Sequence, residues 1–204
     1  MHNTQSQYSF KAHTILLAMW CAFIAICTTS CGEQSTPRPD GYFRIEPYSA
    51  HYTPHIIGGI SLQVNDSAHC LKTKDEDNRG VSWLNIVYPR YQATIYLSYI
   101  PIHNDIERLM EESIDLVYRQ NVITEQVEAV AYEDYEQRIF ATLYALSPES
   151  ATPLQFIATD STSYLLRGAL YFDTPVKTDS VAPSLHYIET DIIQMIESIT
   201  HTTH

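Results

Sequence analysis

The sequence predicts an α+β fold: a mainly antiparallel sheet packed by two main helices. Three observations carry that expectation. Short segments alternating apolar and polar residues recur along the chain. Two longer segments carry an apolar stripe at helical spacing. The helical segments stand among runs of neighbouring strands, the pattern of a sheet with helices laid against it. Composition permits this, with 45% hydrophobic and only 18% charged residues in 204. The 24 acidic residues against 12 basic ones, a net charge of −12, argue against nucleic-acid binding, which needs clustered Lys and Arg.

The first thirty residues differ from the rest, holding Lys11 but no Arg, Asp or Glu. The apolar stretch Thr14–Cys27 would rise only about 21 Å as a helix, short of the roughly 30 Å hydrocarbon core. With its basic start and small-residue exit it has the parts of a secretory signal peptide. The exit Thr28-Thr29-Ser30-Cys31-Gly32 resembles a bacterial lipobox, which implies cleavage before Cys31 and a lipid on its sulfur. The alternative is an ordinary signal peptide, or an uncleaved anchor, with a chance Cys. Cleavage would make residues 1–30 a lipoprotein signal peptide and remove Cys21 and Cys27. Cys70 would then be the one remaining thiol, and the mature chain would be one unit more acidic. Membrane lipid is the partner implied for acylated Cys31, each buried CH₂ contributing about 0.8 kcal/mol.

Residues 31–40 contain Pro37 and Pro39 in a polar run and read as an extended linker. Residues 41–204 read as a single globular α+β domain, long enough to bury about 70% of its extended-chain surface. Tyr42–Ile45 and Ile60–Val64 read as early strands. Trp83–Tyr88 and Tyr91–Tyr99 are stronger strand signals, joined by a tight turn at Pro89-Arg90. A helix follows, with Asn104 as cap and Glu107 completing a capping box. Its stripe is Ile106, Leu109, Met110, Ile114 and Val117. Strands return near Ile123–Tyr132, Gln137–Leu146, Leu154–Ala158 and Tyr164–Phe172, with turn chemistry at Asp160-Ser161. A final helix spans about Pro183–Ile199, with Pro183 in its first turn.

Catalytic and metal motifs are sparse. His51 and His55 have helical ligand spacing, but Pro54 between them argues for loop histidines. His69-Cys70 lacks further partners and reads as a polar loop thiol. His201–His204 reads as a frayed end. The acidic runs Asp75–Asp77 and Glu133–Glu136 lack EF-hand spacing and read as solvated loops. No GxSxG, P-loop or GxGxxG string occurs. The expectation is therefore a non-enzymatic protein without a metal or other cofactor.

Two features invite more. Arg167 stands among apolar residues of a strand that follows the turn at Asp160. A part-buried guanidinium cannot deprotonate and wants a carboxylate. Either an internal ion pair or hydrogen-bond hub supplies it, the simpler reading, or an acidic group of a partner does. The second feature is tyrosine, 15 residues against six Phe, with Tyr88, Tyr91, Tyr96 and Tyr99 on one hairpin. Tyr suits interfaces and half-buried sheet positions alike. Asp160, Arg167, Tyr91, Tyr96 and Tyr99 are thus the candidate interaction or structural residues. A membrane-tethered ligand-binding or enzymatic domain using Arg167 and Asp160 is the competing reading.

Several strings are recognisable together: Pro39–Ile45 (PDGYFRI), Trp83–Ile86 (WLNI), Pro89–Tyr99 (PRYQATIYLSY), Thr159–Thr162 (TDST) and Leu166–Phe172 (LRGALYF). In this order, behind a lipoprotein signal, they resemble the gliding-motility lipoprotein GldD family of Bacteroidetes. The resemblance continues through Ser180–Pro183 (SVAP) to Asp191-Ile192. It implies a lipid-anchored envelope protein with its domain in the periplasm, the outer membrane favoured over the inner. It implies support of gliding motility and the associated type IX secretion machinery, a link to the membrane protein GldE, and no catalytic residues. Members often carry a Cys pair where this sequence has Gly58 and Ser82, which implies a family disulfide absent here. The element order is reminiscent of the Mog1/PsbP-like α/β/α sandwich. Asp-Ser sites at Asp66, Asp160 and Asp179 resemble an O-glycosylation signal of this phylum, although turn and cap roles account for the last two.

Overall fold

In the computed structural model, which describes residues 51–74, 76–119, 127–147, 150–173 and 178–202, every strand pair is antiparallel. These residues all belong to the unit Tyr42–His204. The strands are β1 (Tyr52–Ile57), β2 (Ile60–Asn65), β3 (His69–Lys74), β4 (Ser82–Tyr88) and β5 (Ala93–Pro101). Helix α1 (Ile106–Arg119) follows, then β6 (Glu128–Asp134), β7 (Ile139–Ala145), β8 (Leu154–Thr159) and β9 (Tyr164–Phe172). Helix α2 (Thr178–Glu197) and β10 (Thr200–His201) close the chain. One sheet has seven strands in the order β3-β4-β5-β9-β8-β7-β6; a second has three, β1-β2-β10.

Alternation along the central strands explains the layering. Successive side chains of a strand point to opposite faces. On β8 and β9, Phe156, Ala158 and Leu166 pack with Ile188, Ile192 and Ile196 of α2 and with Ile60 and Leu62 of β2. The intervening Ile157 and Leu165 pack with Leu109 and Val117 of α1. The two helices therefore cover opposite faces, and the small sheet shares the α2 side. β8 is buried along its whole length because both of its faces are covered. The α+β architecture expected from the sequence is the one observed.

Gly168 marks a close approach in the middle of β9. A Cβ there would lie 2.2 Å from Cε1 of Phe156, so the bare backbone makes room for that ring.

Three strands carry little sequence signal. β1 holds Pro54 and β3 reads His-Cys-Leu-Lys-Thr-Lys, yet each pairs as a sheet edge, where a proline or a polar alternation is tolerated. The segment at His201, expected to fray, pairs instead with Ser61 and Ile60 as β10. Tyr91 belongs to a 3₁₀ turn (Pro89–Tyr91), so β5 starts at Ala93. The carbonyl of Asp105 accepts the first bond of α1, from Leu109, while Asn104 adopts φ +60; the cap is Asp105 rather than Asn104. α2 begins before Pro183, which lies inside the helix and withholds one backbone donor. Residues 1–50 lie outside the described residues, and with them the leader, Cys31, the linker and the strand expected at Tyr42–Ile45. So do residues 120–126, the first part of the strand expected from Ile123.

Candidate functional site

The strongest candidate is a cleft on the α1 side of the large sheet. Arg167 is directly opposite Ser98 on β5 and Ile157 on β8, so its side chain rises from the same face as Tyr96 and Tyr171. α1 covers Leu165 and Ile157 but leaves this part of the face open. The resulting cleft, about 530 Å³, is lined by Tyr96, Ser98, Leu116, Gln155, Arg167, Tyr171 and the exposed Asp173. Tyr96 and Tyr171 meet edge to face with ring centroids 5.4 Å apart. Tyr96 is 46% and Leu116 37% exposed, an aromatic and an aliphatic group presented side by side. Gln155 is buried, and its Nε2 donates to Oγ1 of Thr152 at 2.9 Å.

Arg167 is half-buried, and burial pulls its guanidinium below the usual value, against the opposing pull of Tyr171 and Glu112. Among the described residues no carboxylate lies within ion-pair distance of it. Glu112 is 2.8 Å from Nη1 of Arg108, its ion-pair partner. The arrangement is a concave, part-apolar surface with one planar cation in its lining, which is binding chemistry.

Asp160 is not in this cleft. It is 3% exposed in the β8–β9 turn, where Oδ1 accepts from the backbone N–H of Thr162 (2.9 Å), Ser163 (2.7 Å) and Tyr164 (3.2 Å). Oδ2 accepts from the hydroxyls of Thr162 and Ser163 and lies 3.5 Å from Nε2 of His201. Burial pushes this carboxyl up, but the bonds from Ser163, Thr162 and Tyr164 outweigh it and hold the pKa down at about 2. Nη2 of Arg138 donates to the Asp160 carbonyl and to Thr162 Oγ1, both at 3.3 Å. Ser, His and Asp meet here in the wrong order for nucleophile activation. Both Ser163 and His201 address the carboxylate, whereas a triad places the imidazole between acid and hydroxyl.

The candidate tyrosines separate. Tyr96 belongs to the Arg167 cleft. Tyr99, on the other face of β5, stacks on Tyr164 at 6.0 Å and 14°, and Tyr164 in turn meets His201 edge-on at 5.6 Å. The Tyr99 ring also covers the β1–β2 turn. Gly58 has φ +55 there, and a Cβ would lie 2.3 Å from Cδ1 of Tyr99. Gly58 and Ser82 line one cleft of about 410 Å³. A Cys at Gly58 would nonetheless be strained by both its backbone and this ring.

Tyr91 packs on Tyr187 (5.2 Å) and Tyr88 (6.3 Å) beside a cavity of about 310 Å³ that His69 and Arg90 also line. Behind these rings is a cluster that single-segment reading misses. Asp191, 2% exposed, accepts at Oδ1 from Tyr52 (2.8 Å) and from Nδ2 of Asn65 (3.0 Å); that same Nδ2 donates to the Tyr187 hydroxyl (2.8 Å). The buried Tyr88 hydroxyl is near the Asp191 carboxyl and interacts with it, although neither that hydroxyl nor Asp191 Oδ2 makes a hydrogen bond of good geometry among the described residues. Burial pushes Asp191 up despite the bonds it accepts, and burial together with Asp191 pushes Tyr52 well above its usual range. The residues come from β1, β2, β4 and α2, and no local spacing joins them.

Cys70 is half-buried on β3, and burial pushes its thiol up to about 11, far from the thiolate a nucleophile needs. Among the described residues no three His, Cys, Asp or Glu side chains converge as a metal site, and no helix is long and apolar enough to cross a membrane.

A family model described as "Gliding motility lipoprotein GldD" matches residues 32–201. No curated protein matches the chain.

Proposed function

Because the chain belongs to the gliding-motility lipoprotein GldD family, with a role in gliding motility as a lipid-anchored protein of the cell envelope, we propose that it serves there as a non-catalytic docking subunit. The supporting observation is the open cleft holding Arg167, Tyr96, Tyr171 and Leu116, a surface suited to a protein segment. In this reading residues 1–30 are removed, Cys31 carries the lipid and residues 31–40 tether the domain of residues 41–204. The domain faces the periplasm, from the outer membrane in preference to the inner. The machinery it supports includes type IX secretion, and GldE is among its partners.

The test is complementation of a deletion strain. The strain should lose surface spreading and export of proteins bearing the C-terminal export signal, and the wild-type gene should restore both. A Leu116→Asp variant that is folded and lipidated should restore neither, since a charge on that rim disrupts an apolar contact. Full restoration by Leu116→Asp would remove the cleft from the mechanism. Unimpaired export in the deletion strain would remove the secretion role.

A further inference from the structure

The cleft does more than present apolar surface, because its lining contains one basic side chain and no ion pair for it among the described residues. A guanidinium keeps its charge in any protein environment, so half-burying it without a carboxylate is a standing cost. Nearby acids relieve it only in part, since Glu112 favours the charged form from a distance without forming an ion pair with the guanidinium. Glu112 is itself paired with Arg108, and Asp173, in the same lining, is exposed and among the described residues makes no ion pair with Arg167. Asp160, the sequence-adjacent acid, is saturated by its own turn. Beside the cation stand Tyr96 and Leu116, both more than a third exposed, and the Tyr96–Tyr171 ring pair. In a protein carrying −12 net charge, this lining presents one half-buried cation beside two aromatic rings.

Resting on the docking reading above, we propose that the cleft recognises an acidic segment of a partner protein. An Asp or Glu side chain takes the Arg167 fork, and a neighbouring apolar side chain settles between Tyr96 and Leu116. Charge complementarity selects this occupant. The planar fork matches a carboxylate through two parallel N–H···O bonds, and pairing removes the cost that Arg167 carries alone. Tyr96 and Leu116, lining the same cleft, help to keep out the water that would weaken the ion pair.

The experiment uses the full-length, natively lipidated protein with photoreactive benzoylphenylalanine in place of Tyr96, which keeps an aromatic ring on the rim. Illumination in cells, followed by mapping of the crosslinked peptide, should give one recurrent segment containing Asp or Glu beside an apolar residue. Adding Arg167→Gln should lower that crosslink by about tenfold and Arg167→Lys by less, since Lys keeps the charge but loses the fork. If Arg167→Gln fails to fold, the reciprocal change decides: replacing the mapped acid by its amide in the partner should give the same loss. Equal capture by Arg167→Gln, or by the amide partner, overturns the acid recognition and leaves the docking cleft standing. Crosslinks to a chain-terminal carboxylate, or to lipid alone, overturn it as well. No specific crosslink, together with spreading restored by Leu116→Asp, overturns the docking reading itself.

Discussion

The hydroxyl of Tyr52 donates to Oδ1 of Asp191 across 2.8 Å, joining residues 139 positions apart. The bond ties the edge strand β1 to α2 and, with the bond from Asn65, satisfies Oδ1 of a buried carboxylate. Tyr52→Phe should therefore cost about 2 kcal/mol, the usual loss for a hydrogen bond to a charged group. Equilibrium urea unfolding of the domain measures it, and a change below about 0.5 kcal/mol would mean that the bond adds no net stability.

Asp191 itself should respond to pH in the opposite sense to an ordinary surface acid. Its folded pKa is raised, first by burial. The unfolded chain then ionises more readily, so the contribution of Asp191 to stability is fullest below about pH 4 and is lost as pH rises through the folded value. Asp191→Asn keeps an oxygen for Tyr52 and Asn65 and places a neutral amide beside the buried Tyr88 hydroxyl. The variant should match the wild type near pH 3 and be the more stable at pH 7. Parallel unfolding curves at the two pH values check this, and a variant that loses stability at pH 7 contradicts it.

Asp160 has the reverse sign. Its folded pKa, about 2, lies below the unfolded one, so its contribution is present above about pH 4 and is lost as pH falls toward 2. Asp160→Ala should remove that acid-sensitive limb and, by stripping the acceptor from three N–H groups of the turn, that of buried Tyr164 among them, cost about 3 kcal/mol at pH 7. Unfolding midpoints of wild type and variant across pH 2–7 should converge at the acid end. Parallel profiles would show that the turn does not depend on the ionised form.

Gly168→Ala should be destabilising by about 1–3 kcal/mol, because the added methyl meets the Phe156 ring. Phe156→Leu should cost stability alone yet recover part of the loss in the double variant. A double-mutant cycle reads the coupling, and strict additivity would mean that the two sites do not touch.

The anchor is tested separately. Cys31→Ala should abolish incorporation of labelled fatty acid and release the protein from the membrane fraction. Continued labelling would place the lipid elsewhere.

Much of the fold was readable locally because the signals are local. β9 coincides with its expected span, and β4, β7 and β8 fall within one or two residues of theirs, since strong alternation and flanking turns define them. Signals weakened where burial is one-sided or pairing is brief. β1 and β3 are edge strands and β10 pairs two residues, so none needed a strong apolar pattern. The site residues divide the same way. Arg167 and Asp160 stood out as polar groups beside apolar runs. Tyr52, Asn65 and Asp191 did not, because each is unremarkable among its own neighbours and only folding brings them together.

By itself the sequence determined the types of the two helices and the central strands, the mainly antiparallel character, the acidic balance and the lipobox-like leader, all of which follow from periodicity and composition. It even held the separation of Tyr96 from Tyr99, since an odd offset along a strand reverses the face. Which face stays open was decided only by the tertiary structure. α1 reaches across Leu165 and Ile157 and stops short of Arg167, while α2 and the small sheet cover the other side. That outcome depends on where distant helices come to rest, and long-range packing leaves no trace in the spacing of neighbouring residues.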